Sequence, residues 1–280
     1  SRKMILAVRA ENVSYTKSDL RIMEYIENHT DEFLLMSIGQ LAAELQMSEA
    51  TVSRFVRHIG YGDFKELKTR VARESSGRGA ARKLAGTLLK SEGFHLQEWF
   101  AAQQECLERT FTHTDTKEFE RAAEAVKDAE RIYIHAKNAS ASVGQLLFFR
   151  LRRLGLNVSL IPSGGSEVLE GIAHAGKGDL VITFGFGKLS EESRMILSCA
   201  KTAGFRTMAF TSRLYAPAGQ QADISLYVYR GGEEEYHSMT AAAAVADALV
   251  LAVSEQLKEA SARSLVRVQK LKEAYRKKEI

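Results

Sequence analysis

The chain reads as an all-α N-terminal domain followed by an α/β domain with a mostly parallel five-stranded sheet. Up to Asp128 the apolar periodicity is helical, and beyond it five short β-branched or aromatic runs appear: RIYIHA, NVSLIP, DLVITFG, RTMAFT and ISLYVY. Helical patterns at residues 140–154, about 165–174 and 190–203 separate these runs, which implies βαβ units with helices on both faces of the sheet. A length of 280 residues is enough for about two domains. Hydrophobic content of 45% and charged content of 26% are those of a globular protein with a real core.

Residues 1–17 carry little periodicity. A first helix is expected from an N-cap at Ser18, with Leu20, Met23 and Ile26 on its apolar face. The stretch Ser37–Ile59 then reads as two short helices joined by a turn at Met47. Ser37 and Gln40 form a capping box, and Ile38, Leu41, Ala42 and Leu45 share one face. Ser48 caps the second helix, residues 49–59. Val52, Phe55, Val56 and Ile59 form its buried stripe, and Gly60 ends it. Off that stripe lie Thr51, Ser53, Arg54, Arg57 and His58. This is the helix-turn-helix arrangement, in which the second helix enters the major groove. A helical hairpin with a solvated outer face has the same spacing. Arg54 and Arg57, together with a following amphipathic helix bearing Lys65, Lys68, Arg70 and Arg73, tip the balance toward DNA, because arginine can form two parallel bonds to guanine or phosphate.

The helical domain is expected to span 1–74. Residues 75–93, SSGRGAARKLAGTLLKSEG, read as a linker in which RKLAGTLLK has room for a helical turn or two; Arg78, Arg82, Lys83 and Lys90 are its basic residues. Helical patterns follow from Phe94 to about Thr112, where Trp99 is read as a packing residue, and from an N-cap at Asp115. The α/β domain is expected over 94–257 and closes with an Ala-rich helix from about Ser238, after the acidic loop GGEEE. Residues 258–280 form a basic amphipathic helix. In parallel sheets ligands bind beyond the carboxyl ends of the strands, which singles out AKNAS (136–140), SGGS (163–166), GFGKLS (185–190) and TSRLYAP (211–217).

A net charge of only +4 places any nucleic-acid affinity in local basic patches. Cys106 and Cys199 are the two cysteines and read as buried free thiols of a reducing cytoplasm. No apolar run approaches about 20 residues and no signal-peptide core is visible, so the reading is cytoplasmic with no membrane. GFGK lacks the upstream glycine and the hydroxyl residue directly after the lysine that a P-loop needs; no zinc spacing occurs, and no cofactor, metal or catalytic set is expected.

LAAELQMSEATVSRFVRHIGYGDFKELK resembles the N-terminal domain of RpiR-type bacterial transcription regulators, and the segment from about Arg131 to Val253 looks like the sugar-isomerase (SIS) domain those regulators carry. The resemblance implies a SIS-like three-layer fold with a phosphate cradle in two loops. In the first loop, Ala136, Asn138 and Ser140 stand where the family has two glycines and a serine. In the second, Gly185-Phe186-Gly187-Lys188-Leu189-Ser190 replaces Ser-x-Ser-Gly-x-Thr; Thr211 and Ser212 match, and the Ser-Arg before the last helix is Ser238-Met239.

Two readings of this altered pocket stand: an anion site in which Lys137 and Lys188 supply charge, or a pocket turned to another metabolite or to dimerisation alone. The effector candidates are Lys137, Asn138, Ser140, Gly187, Lys188, Ser190, Thr211 and Ser212, with His135 and His237 as lesser ones. The DNA candidates are Ser48, Thr51, Ser53, Arg54, Arg57 and His58 for base or phosphate, and Lys65 and Lys68 for the backbone. The chain is thus expected to be a homodimer or tetramer on a double-stranded operator, with half-sites about 34–36 Å apart or a multiple of that, answering to a sugar phosphate or other anion. A sugar-phosphate isomerase or binding protein with an accessory helical domain is the alternative.

Overall fold

Thr16, not Ser18, opens the first helix. The computed structural model describes residues 14–74, 79–89, 94–162, 164–217, 219–233 and 235–277, and divides them into two units. One holds the residues up to Phe100 with Gly231–His237; the other holds Ala101–Arg230 and Ser238 onward.

In the first unit α1 (Lys17–Asn28) begins with a reciprocal capping box between Thr16 and Asp19. Its buried face is Asp19, Ile22, Met23 and Ile26, so Leu20 points outward against expectation. A helix not foreseen, α2 (Thr30–Leu35), buries Phe33 and Leu34. Its six residues are too short for periodicity to announce them. Then come α3 (Ile38–Glu44), α4 (Glu49–His58) and α5 (Phe64–Glu74). The Ser37–Gln40 capping box is present, and Val52, Phe55, Val56 and Ile59 form the buried stripe of α4.

The turn between α3 and α4 is a Schellman motif. Met47 N–H donates to Ala42 C=O at 2.9 Å and Gln46 N–H to Ala43 C=O at 3.1 Å, with Gln46 left-handed at φ 52°. α4 ends the same way: Tyr61 N–H reaches Val56 C=O at 3.0 Å around Gly60, at φ 94°. Glycine does at the second turn what glutamine does under strain at the first. Part of the expected linker is a helix, α6 (Ala80–Leu88), whose Ala85 joins this core. Arg82 donates to Arg73 C=O at 3.1 Å and Lys83 lies 3.0 Å from His237 Nδ1, so neither serves a solvated hinge; Arg78 and Lys90 fall outside the described residues.

The helix α7 (Leu96–Thr112) precedes α8 (Thr116–Asp128), which Asp115 caps through the Lys117 and Glu118 N–H groups. In the second unit β1 (Ile132–His135), β2 (Val158–Leu160), β3 (Leu180–Phe184), β4 (Arg206–Thr211) and β5 (Ile224–Tyr227) form one sheet, ordered β2-β1-β3-β4-β5, with every pairing parallel. Alternation sorts the side chains. Ile132, Ile134, Leu180, Ile182, Met208 and Phe210 face a core shared with α8, α9 (Ser140–Arg153) and α12 (Thr240–Leu257). Tyr133 and Val181 face a smaller core with α10 (Glu167–Ile172) and α11 (Glu191–Ala203). β4 and β5 are joined by a loop instead of a helix.

α12 is long and apolar enough to cross a membrane by length and composition. Its Ala241, Ala242, Ala246, Leu249, Val250 and Val253 lie in the sheet's core, however, and its partly exposed Asp247 meets Arg150 at 3.5 Å, so one face of the helix packs on the sheet. The helix α13 (Glu259–Arg276) follows, anchored by Ser261 and by Ser264 Oγ donating to Arg153 C=O at 3.0 Å. Cys106 is buried and Cys199 half-buried, both as free thiols.

Replacing Gln46 with glycine removes the side-chain strain of the left-handed turn. Gln46→Gly is expected to stabilise the helical unit by about 0.5–1 kcal/mol in urea denaturation, leaving the fold unchanged.

Candidate DNA-reading helix and effector crevice

α4 carries a continuous polar row. Ser48 Oγ accepts from Thr51 N–H at 3.1 Å, the two hydroxyls lie 2.9 Å apart, and Arg54 Nη2 donates to Thr51 Oγ1 at 3.3 Å. These bonds link Ser48, Thr51 and Arg54 in succession, and Arg57 lies farther round the helix, opposite the stripe of Val52, Phe55 and Val56. Arg54 and Arg57 are exposed and Ser53 is half-buried. A methyl group at Gly39 would meet Glu49 Oε1 at 2.7 Å, which shows how closely the first turn of α4 approaches α3.

Other candidates of this unit have structural work. His58 Nδ1 lies 3.0 Å from Asp19 Oδ2, tying the end of α4 to the capping box of α1. Lys68 was expected on a phosphate. Its Nζ instead donates to Met36 C=O at 2.8 Å, at the C-terminal end of α2, and burial pushes its pKa down. An ammonium there satisfies an orphan carbonyl and meets the negative end of the helix. Lys65 is half-buried on α5, and its backbone carbonyl takes the Thr69 hydroxyl.

In the second unit the chain leaves β1 for α9 on one face of the sheet and β3 for α11 on the other. That reversal opens a crevice at the carboxyl ends of β1 and β3. The loop 136–139 turns through Asn138 at φ 54°, and Ser140 is the first residue of α9, not its cap, a place held by Ala139. Close packing of that loop depends on Gly144, where a methyl group would sit 2.7 Å from Ala136 Cβ. Gly187 has open space around it and Lys188 is exposed. Ser190 caps α11, accepting from Ser193 N–H at 3.1 Å. Thr211 Oγ1 accepts from Arg213 N–H at 3.1 Å, and Ser212 Oγ donates to Val228 C=O. Ser163, in another of the expected loops, lies outside the described residues.

Lys137 is not an open charge. Its Nζ meets Glu192 Oε2 at 2.8 Å, and Glu192 sits in the first turn of α11. Lys137, its own backbone N–H and the Ser190 hydroxyl together hold the Glu192 carboxyl down to about 2. The sequence reading missed Glu192, because an acidic residue two places after an N-cap is ordinary dipole chemistry. It also missed Arg230, whose guanidinium lies 3.8 Å from the Phe186 ring centroid with Nε buried and unbonded; burial lowers its pKa to about 10. Of the lesser candidates, His135 is buried at the end of β1, whereas His237 belongs to the other unit, with Nε2 2.8 Å from Gly232 C=O.

These features define a helix-turn-helix module and a parallel α/β unit with a crevice at its switch point. Residues 3–78 match the helix-turn-helix domain of the rpiR family, and residues 125–252 match the SIS domain. The chain belongs to the RpiR family of helix-turn-helix regulators carrying a SIS domain. An uncharacterized HTH-type transcriptional regulator of Caldanaerobacter subterraneus subsp. tengcongensis is 25% identical over 227 residues, 80% of this chain and 79% of that protein. The sugar isomerase domain of an RpiR transcription factor from Sphaerobacter thermophilus superposes with a TM-score of 0.58 at 25% identity, over 62% of this chain and 97% of that one. The Vibrio vulnificus NanR protein, solved complexed with ManNAc-6P, superposes with a TM-score of 0.59 at 21% identity, over 96% of this chain and 97% of its own.

The Lys137–Glu192 pair has a pH signature. The folded carboxyl titrates near 2 against an ordinary 4.5, so the pair's stabilisation is complete above about pH 4.5 and is lost as pH falls toward 2. Glu192→Gln is expected to lower stability by on the order of 1 kcal/mol at pH 7, the pair being partly exposed and screened. Urea titrations at descending pH should show that gap closing between pH 4.5 and 2.

Proposed function

We propose that this protein is a sequence-specific transcriptional regulator that binds double-stranded operator DNA through α4 and answers to a small phosphorylated or otherwise anionic metabolite held in the SIS crevice. The carrying observation is the hydrogen-bonded row Ser48–Thr51–Arg54, with Arg57 also exposed, on a helix capped at both ends. Arg54 is the proposed base reader, with Arg57 and Ser53 beside it, and Lys65 the backbone contact. Carbohydrate-metabolism genes are the proposed targets. Support for the effector class comes from the switch-point crevice and from NanR, a protein of the same fold complexed with ManNAc-6P. Asn138, Ser140, Gly187, Lys188, Ser190, Thr211 and Ser212 are the proposed lining. The regulator is proposed to act in the cytoplasm as a homodimer or dimer of dimers, so that two recognition helices meet two half-sites.

Control of the operator by the effector requires different affinities for DNA-competent and incompetent arrangements, a coupling typically worth about 1–3 kcal/mol. In thermal-shift titration a sugar phosphate should raise the melting temperature of the wild-type protein. Silence toward every sugar phosphate would leave the SIS domain as a dimerisation platform. For the DNA half of the reading, Arg54→Ala should weaken operator binding by about 1–3 kcal/mol and relax preference at one base position. Fluorescence anisotropy on a set of single-base operator variants measures both. Unchanged affinity with unchanged preference would remove Arg54 as the reader.

A further inference from the structure

We propose that Glu192 is an internal anion seated where the effector's phosphate would go, so that a ligand enters the crevice by displacing it from Lys137. This rests on the effector reading above and adds to it the residue that sets which ligands succeed.

Two loops and the first turn of a helix come together near the Glu192 carboxylate. Oε2 takes the Lys137 ammonium of the β1–α9 loop at 2.8 Å. A methyl group at Gly164, in the loop between β2 and α10, would lie 3.7 Å from Oε1. The carboxylate itself lies in the first turn of α11, beside the Ser190 cap, and takes its own backbone N–H at the positive end of the helix. The 13-residue α11 and the lysine are what would draw a phosphate to this crevice, and the protein has already filled both with a charge of its own. Two anions at one helix N-terminus repel each other, so ligand and side chain exclude one another. Neither partner is sealed in: the Glu192 side chain keeps 17% of its surface exposed and Lys137 keeps 37%, which leaves the glutamate free to swing out about its own bonds. Its carboxyl stays ionised throughout the neutral range, so acidification does not open the latch. Exchange with another anion does. A dianionic phosphate out-competes a single carboxylate for the ammonium and the helix terminus, while a monoanionic carboxylate ligand meets an equal already in place. Selection for phosphorylated over carboxylated metabolites follows.

The test uses full-length protein and calorimetric titration with ManNAc-6P, glucose 6-phosphate and inorganic phosphate. Glu192→Gln keeps the shape and removes the charge; it should bind the phosphate probes at least about tenfold more tightly than wild type, by the like-charge argument above. Lys137→Met in that background should abolish the gain, and Glu192→Asp, which keeps the charge, should not show it. Thermal melts establish that each variant is folded. A wild type that binds while Glu192→Gln binds equally or more weakly overturns the latch alone, since Glu192 would then be holding ligand hydroxyls. A silent wild type with a binding Glu192→Gln supports the latch. Silence of both toward every probe overturns the latch and the phosphate reading together.

Discussion

The chain leaves β1 and β3 toward opposite faces of one parallel sheet, and the α/β unit depends on that divergence. Parallel strands leave no edge at their carboxyl ends for a packed core; the helices α9 and α11 turn away from each other and a gap remains between their first turns. Everything near the gap is arranged around it. Gly144 lets the β1–α9 loop lie against α9, Ser190 caps α11, and Lys137 bridges to Glu192 across the opening. At the other end of the strands the same sheet is closed by a bidentate fork. Arg131 reaches the buried Asp179 at 2.8 and 3.1 Å, locking the starts of β1 and β3 together. One end of the sheet is tied shut and the other is held open.

The helical unit solves a different problem with shorter pieces. Helices of 6 to 12 residues are marginal by themselves, so their ends have to be satisfied one by one. Capping boxes at Thr16 and Ser37, Schellman turns after α3 and α4, and the Lys68 ammonium on α2 do this. Apolar burial of Phe33, Leu41, Phe55 and Ile59 then fixes the angle at which α4 presents its polar row. The hydroxyl–hydroxyl–guanidinium chain along that row is set before any DNA arrives, which limits the rotamer entropy lost on binding.

Much of this was legible in the residues. The five strand runs, the helix-turn-helix stripe and the caps at Ser37, Ser48 and Asp115 depend on local periodicity and local hydrogen bonds, which a sequence displays directly. What stayed hidden depends on distant pairs. Lys68 looks like a surface base until Met36, 32 residues earlier, supplies a carbonyl. Lys137 looks like a ligand-binding charge until Glu192, 55 residues later, is folded beside it. Leu20 was misassigned because Asp19, a capping carboxylate that also receives His58, took the buried position that hydrophobicity alone would not give it.

Because Lys137 arrives with its counter-charge built in, it adds almost nothing to the electrostatic field around the crevice. A polyanion such as a DNA backbone is therefore drawn less strongly to the mouth of the crevice. On the proposed reading its attraction falls instead on the arginines of α4. In a chain with a net charge of only +4, that internal neutralisation would keep the two proposed anion-binding surfaces from competing for the same polymer.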